Sequence, residues 1–191
     1  SKDKIEIDQS HKAMSVNLDA CINCNLCVRA CREVQVNDVI GMAYRGSTAK
    51  IIFDLDDPMG NSTCVACGEC VQACPTGALM ESSLVNNEGT RINYPDKIVD
   101  SVCPYCGVGC QTKVHVKDEK ILYVDGKNGP ANENRLCVKG RFGFDYIDHE
   151  GRLTKPLIRK SGVAKDPNLQ IKDSNISDYF EETSWENALD I

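Results

Sequence analysis

The chain has 191 residues and a net charge of −6, with aromatic residues at only 6%. This length suffices for one ordinary domain or two small ones, and the few aromatics argue against a single large core. The negative charge disfavours a nucleic-acid or anionic-membrane surface, and no apolar run reaches the roughly 18 residues that a spanning helix needs. These features favour small modules, which usually depend on metals or disulfides.

The first elements are a polar, charged lead-in over residues 1–12 and a predicted short strand over 14–18. Four cysteines then follow at the spacing C-x2-C-x2-C-x3-C, namely Cys21, Cys24, Cys27 and Cys31. Three thiolates on one tight loop can take three corners of a cubane cluster, and this spacing is typical of 4Fe-4S sites. Apolar residues at helical intervals predict a short helix over 28–36.

Residues 39–44 and 50–55 read as two strands joined by a turn over 45–48. The cysteine spacing then recurs 43 residues after its first appearance, in Cys64, Cys67, Cys70 and Cys74. Flanking residues also match, with Val28 answering Val71, which indicates an internal duplication. Arg32 stands where the second copy has Pro75, a position that binds no metal.

In two-cluster ferredoxins the fourth cysteine of each segment reaches the other cluster. We therefore predict a first 4Fe-4S cluster on Cys21, Cys24, Cys27 and Cys74. The second would be held by Cys31, Cys64, Cys67 and Cys70. Residues 76–78 form a small-residue turn that would let backbone amides approach a cluster, and the polar stretch 82–96 is predicted to be a linker.

A third group begins with Cys103, Cys106 and Cys110 and ends with Cys137, after a gap of 26 residues. Strands predicted over 112–116 and 121–124 form a hairpin that would return Cys137 to close a third 4Fe-4S cluster. His115 is predicted to lie on the surface of this hairpin. Beyond it, the sequence predicts a helix over 138–147, extended polar chain from 151, and over 180–191 a helix that starts another domain and is cut off.

All 12 cysteines fall into these three quartets. A disulfide scaffold would spread its cysteines between loops, and zinc sites pair two knuckles across a longer spacer. Clusters explain the spacing better, with zinc the stronger alternative. Unpaired thiolates also indicate a reducing, cytoplasmic location.

The runs C-P-Y-C-G-V-G-C and N-R-L-C-V-K-G-R-F resemble the N-terminal iron–sulfur domain of the molybdopterin oxidoreductase family. With the preceding two-cluster segment, the nearer resemblance is to the alpha subunit of NAD-linked formate dehydrogenases that use molybdenum or tungsten. The runs R-A-C-R-E-V-Q-V-N-D-V-I-G-M and R-L-T-K-P-L-I-R are also similar to that subunit.

This resemblance implies a molybdopterin centre, in a catalytic domain further along the same subunit, that oxidises formate to carbon dioxide. It also implies a partner subunit with flavin and iron–sulfur centres that reduces NAD. Lys139, two residues after Cys137, matches a lysine that lies between the third cluster and the pterin. The family's catalytic residues lie beyond this segment, so none is assigned here.

The predicted fold class is therefore α+β: a duplicated two-cluster ferredoxin-like module, then a small β-rich 4Fe-4S domain of the molybdopterin oxidoreductase type. The predicted domains are residues 1–95, 96–155 and 156–191. The alternatives are an equivalent arm of another pterin, complex-I-like or hydrogenase-linked oxidoreductase, a free-standing ferredoxin-type carrier, and a zinc-bound structural module.

Overall fold

The computed structural model describes residues 5–172 and 175–191. These residues mix short helices with short antiparallel strands. They form two compact units, one ending at Phe144 and one spanning Asp145–Ile191. The domain boundaries predicted near residues 95 and 155 remain predictions.

The first half of the larger unit contains two short sheets and two short helices. Strands β1 (Met14–Val16), β2 (Ile40–Ala43), β3 (Lys50–Phe53) and β4 (Leu79–Glu81) alternate with helices α1 (Leu26–Arg29) and α2 (Glu69–Ala73). β1 pairs antiparallel with β4, and β2 with β3. The strands predicted over 14–18, 39–44 and 50–55 are thereby confirmed, each slightly shorter than predicted.

The two helices end differently because of the Arg32 and Pro75 positions. After α1 the chain continues helically as a π-helical turn over Ala30–Val34. After α2, Cys74 is extended, with φ −75° and ψ 117°, because a residue before proline is driven out of the helical region. The proline in the second copy therefore ends its helix at Cys74, whereas Cys31 lies within a helical turn.

The core of this half is built partly from cysteines. Its buried apolar cluster includes Met14, Phe53 and Leu79, and Cys27, Cys31 and Cys70 belong to the same cluster. These thiols are 7%, 7% and 5% exposed. The interior of the module and the walls of its candidate metal sites are thus the same residues.

The stretch predicted as a linker, residues 82–96, is instead folded. Leu84 is 2% exposed, and the Ser83 hydroxyl donates a hydrogen bond to the Leu122 carbonyl at 2.9 Å. The stretch is polar in composition, and the few contacts that hold it in place cannot be recognised from its sequence.

A three-stranded antiparallel sheet follows, in the order β5 (Lys97–Val102), β6 (Gln111–Lys117) and β7 (Lys120–Gly126). The predicted hairpin is confirmed as β6 and β7. β5 was not predicted, because its sequence K-I-V-D-S-V does not alternate between apolar and polar residues; all six of its residues are exposed. Helix α3 (Val138–Phe142) is shorter than the helix predicted over 138–147, because the chain leaves the helix at Gly143.

The second unit contains β8 (Leu157–Arg159), α4 (Ile176–Tyr179), β9 (Phe180–Glu182) and α5 (Trp185–Leu189), with β8 paired to β9. The helix predicted from residue 180 is wrong at its start, where the chain is a strand. The Ser184 hydroxyl caps α5 by accepting a hydrogen bond from the Asn187 N–H at 3.2 Å. Among the described residues, no helix is long and apolar enough to cross a membrane.

Candidate metal centres

Two small cavities in the larger unit are each lined by four thiols. One is bounded by Cys21, Cys24, Cys27 and Cys74, with Ile51 and Leu79 among its apolar walls. The other is bounded by Cys31, Cys64, Cys67 and Cys70, with Val39 and Ile40. The structure thus groups the eight cysteines into the two crossed sets predicted from the spacing; their role as ligands stays a prediction.

The two cysteine loops repeat one backbone conformation. Asn23 and Ala66, at equivalent positions, both have φ +55°, and Asn25 and Gly68 have φ +62° and +71°. The helices α1 and α2 begin at the next residue in each copy. Because left-handed φ is uncommon outside glycine, this agreement at two positions supports the duplication that the sequence indicated.

Backbone N–H groups point at sulfur atoms in both loops. The Asn23 N–H donates to Cys21 Sγ and the Ala66 N–H to Cys64 Sγ, each at 3.4 Å. The Val39 N–H donates to Cys31 Sγ at 3.3 Å. Hydrogen bonds of this kind stabilise negative charge on sulfur and tune cluster potentials.

The thiol pKa values reflect these surroundings. Burial raises the pKa of Cys27 to about 11, and neighbouring thiolates of its own cavity add to the shift. Burial also acts to raise the pKa of Cys74, but hydrogen bonds from the backbone of Leu79, Thr76 and Ala78 outweigh it, and that pKa is lowered. The turn over 76–78 therefore brings amides to a sulfur, as predicted.

The third quartet gathers beside the β5–β6–β7 sheet. The Cys103 N–H donates to the Cys110 carbonyl at 2.8 Å. The pKa of Cys110 is raised by burial and by the charges of Cys103, Cys106 and Cys137. Cys103 is buried, while Cys106 and Cys137 are exposed, so this site is the most open of the three.

Sulfur is the donor in all three sites, which suits iron–sulfur chemistry. Within residues 5–172 and 175–191, no three His, Cys, Asp or Glu side chains converge closely enough to hold a single metal ion. A zinc ion would draw its sulfurs to about 2.3 Å from one point, whereas the first two quartets surround a cavity. The all-sulfur donor set, arranged around a cavity rather than a point, fits a cluster.

Comparison with known families agrees with this geometry. Residues 20–78 match the 4Fe-4S dicluster domain, and residues 96–149 match the molybdopterin oxidoreductase Fe4S4 domain. The chain carries the Fe4S4 domain of the molybdopterin oxidoreductases. Both matched segments are iron–sulfur domains.

Relatives of the module include "Probable oxidoreductase YjgC" of Bacillus subtilis, 34% identical over 95% of this chain and 20% of that protein. "Putative formate dehydrogenase SH0748" of Staphylococcus haemolyticus is 32% identical over 91% of this chain and 20% of its own length. The chain thus spans about a fifth of the length of these relatives.

Among solved structures, an NAD+-reducing [NiFe]-hydrogenase matches 47% of this chain and 39% of its own at 25% identity, with a TM-score of 0.39. That likeness is too slight to support a conclusion.

Two further residues singled out in the sequence, Lys139 and His115, lie in different surroundings. Lys139 lies exposed on α3 of the Fe4S4 domain, and its role beside a pterin stays a prediction. The surface position predicted for His115 is wrong. His115 is 7% exposed, stacks on Tyr123 with ring centroids 3.9 Å apart, and lies 3.1 Å from Asp125. The register of β6 is irregular between His115 and Val116, and both residues are buried, so the expected alternation is broken there.

Sequence reasoning missed Arg141. Its side chain is 0% exposed and its Nε donates to the Cys67 carbonyl at 2.8 Å. Only the run K-G-R after Cys137 could have drawn attention to it, since its partners lie far away in sequence.

Proposed function

We propose that this module carries electrons away from a molybdopterin centre that oxidises formate to carbon dioxide, toward an NAD-reducing partner subunit. The observation that carries the proposal is the set of three all-sulfur sites on a chain matched along most of its length by formate dehydrogenase-named proteins. A chain of clusters conducts electrons and supplies no substrate chemistry, so the formate reaction belongs to a pterin-bearing domain.

The three sites would hold one 4Fe-4S cluster each. The resemblance to the molybdopterin oxidoreductases implies that the third quartet would be nearest the pterin, with Lys139 between the two. An ammonium there would stabilise the negative charge that accompanies an arriving electron and donate a hydrogen bond to the pterin. The two-cluster half would then deliver electrons to a flavin and iron–sulfur subunit.

Anaerobic EPR spectroscopy of the full-length enzyme tests the proposal, with formate as reductant and dithionite as the control. We expect both reductants to produce reduced 4Fe-4S signals. Signals with dithionite alone would contradict the formate assignment and leave an arm that serves another substrate. No signal with either reductant would contradict the clusters and restore the zinc alternative.

Cys137→Ala tests the order of the sites. We expect this variant to lose or convert the third cluster and keep the other two, which dithionite but not formate would then reduce. Normal formate-driven reduction of the remaining clusters would contradict the proposed route.

A further inference from the structure

Arg141 is the largest fully buried side chain in the described part of the protein. Burying a guanidinium removes its hydration, which is costly unless its N–H groups are satisfied. Here its donors have acceptors on two different parts of the fold. Nε donates to the Cys67 carbonyl at 2.8 Å, Nη2 to Gln72 Oε1 at 2.9 Å, and Nη1 to Asp125 Oδ1 at 3.2 Å.

The backbone of the same residue belongs to the third quartet. Helix α3 begins directly after Cys137, and the Arg141 N–H donates to the Cys137 carbonyl at 3.1 Å. One residue is therefore tied by its backbone to the last cysteine of the third site and by its side chain to a cysteine of the second.

The second loop is shaped to receive this side chain. Gly68, directly after Cys67, lies so close that an added Cβ would fall 2.6 Å from Arg141 Nε. The equivalent residue in the first copy is Asn25, a residue with a side chain. The guanidinium thus occupies a place that exists in only one of the two cysteine loops.

The charges around Arg141 are acidic. Glu69 Oε2 lies 3.4 Å and Asp125 Oδ1 lies 3.2 Å from it, and the two carboxylate side chains are 12% and 24% exposed. Asp125 also lies 3.1 Å from His115. A fixed positive charge in such a poorly hydrated place is little screened. It therefore acts on any charge that changes at the Cys67 loop.

We propose that Arg141 is the residue that positions the third quartet against the second, and that its charge raises the reduction potential of the cluster on Cys31, Cys64, Cys67 and Cys70. The inference rests on the proposed function and adds to it a tuning group for one particular cluster. An electron added at that site brings negative charge, which a nearby buried cation favours.

The test is an EPR-monitored redox titration of the full-length enzyme with dithionite and mediators, which needs no formate turnover. In Arg141→Gln we expect the second cluster alone to become harder to reduce. Its oxidised-to-reduced ratio at a fixed potential should rise at least about tenfold, the effect of one charge close to a titrating group. In Arg141→Lys the change in this ratio should be less than about threefold, because lysine keeps the positive charge. Both variants should lose a similar amount of thermal stability, because neither has the planar guanidinium that bonds Cys67, Gln72 and Asp125.

Asp125→Asn should change the reduction potential of the second cluster in the opposite direction. It leaves Arg141 in place and removes one of its counter-charges, so the second cluster should become easier to reduce. It also tests the proposal if Arg141→Gln does not assemble its clusters.

Arg135→Gln is the matched control, because Arg135 precedes Cys137 by two residues but its side chain is 48% exposed and pairs with Glu133. It should shift no cluster.

Equal shifts in Arg141→Gln and Arg141→Lys would overturn the charge argument, as would no shift or a common shift of all three clusters. A second cluster that becomes harder to reduce in Asp125→Asn would overturn the charge argument as well. These results differ from a failure of the proposed function, which would appear in the unmodified enzyme as missing 4Fe-4S signals or as reduction by dithionite but not by formate.

Discussion

Gly68 illustrates how one residue can be fixed by its neighbours as well as by its own backbone. Its φ is +71°, and an added Cβ would collide with Arg141 and approach Phe142 Cζ to 3.0 Å. Gly46 has a similar φ of +62° with nothing within 4 Å of an added Cβ. Comparing Gly68 with Gly46 therefore separates the cost of a left-handed backbone from the cost of steric overlap.

We predict that Gly68→Ala destabilises the iron-loaded protein much more than Gly46→Ala. Gly46→Ala should cost about 1 kcal/mol for its left-handed backbone. Gly68→Ala should cost roughly 2–4 kcal/mol, because overpacking adds about 1–3 kcal/mol. Thermal unfolding followed by circular dichroism measures both. Equal losses in the two variants would show that the Arg141 side chain is not held against Gly68.

Glu81 on β4 is a buried carboxyl, 6% exposed. Burial raises its pKa above the ordinary 4.5, with Asp125 adding to the shift and Arg141 and Arg91 opposing it. The folded protein therefore binds this proton more tightly than the unfolded chain does. The stabilisation that comes with the proton is complete below pH 4.5 and is lost as the pH rises through the folded pKa.

Glu81→Gln should accordingly be more stable than the unmodified protein at pH 8, and the difference should narrow as the pH falls toward 5. Denaturant unfolding at several pH values measures this. Glu88→Gln, which removes a carboxylate from an exposed turn, is the control and should give a smaller difference at pH 8. A gain for Glu81→Gln that is independent of pH would contradict the argument from burial.

At the scale of elements, the crossed grouping of cysteines is the feature that needs a direct test. Cys74 follows the second loop in the chain but lines the cavity of the first, and Cys31 does the reverse. In Cys74→Ala we expect the first site to fail, so Cys21, Cys24 and Cys27 should react with iodoacetamide while Cys64, Cys67 and Cys70 stay protected.

Cys31→Ala should give the reciprocal pattern, which makes the two variants controls for each other. Mass spectrometry of the anaerobically alkylated protein reads out each cysteine separately. If each variant instead exposed the three cysteines nearest to it in sequence, the sites would be local and the crossed arrangement would be contradicted.

Much of this arrangement could be predicted from the sequence, because its signals are short-range. The spacing within Cys64 to Cys74 defines a loop and one helical turn, and the match between the copies defines the repeat. Strands β6 and β7 followed from alternation on either side of Asp118 and Glu119. Apart from the repeat, which compares segments 43 residues apart, each of these predictions needed only residues that are close together in the chain.

The features that the sequence did not predict depend on contacts between distant parts of the chain. The apolar residues of β5, namely Ile98, Val99 and Val102, do not alternate with polar ones, so no sequence pattern marks its pairing with β6. The burial of His115 depends on an irregular register. Arg141 resembles any helical arginine until its acceptors are known, and those side-chain partners lie between 16 and 74 residues away. Long-range contacts of single polar groups have no local signature.

At the scale of the whole molecule, the two units should differ in how much they depend on iron. All 12 cysteines lie before residue 145, and Cys27, Cys31 and Cys70 are part of the larger unit's buried apolar cluster. Without clusters, the two thiol-lined cavities would be left to close or fill with water, and the contacts that join the loops would be lost.

We therefore predict that anaerobic iron chelation loosens the larger unit and leaves the smaller one unchanged. Hydrogen exchange measured by mass spectrometry should increase strongly in peptides from residues 14–81, while peptides from 145–172 and 175–191 exchange as before. The smaller unit serves as an internal control, because it contains no cysteine. Uniform acceleration in both units would indicate that chelation unfolds the whole chain, and no change in residues 14–81 would mean that the thiol cavities are stable without metal.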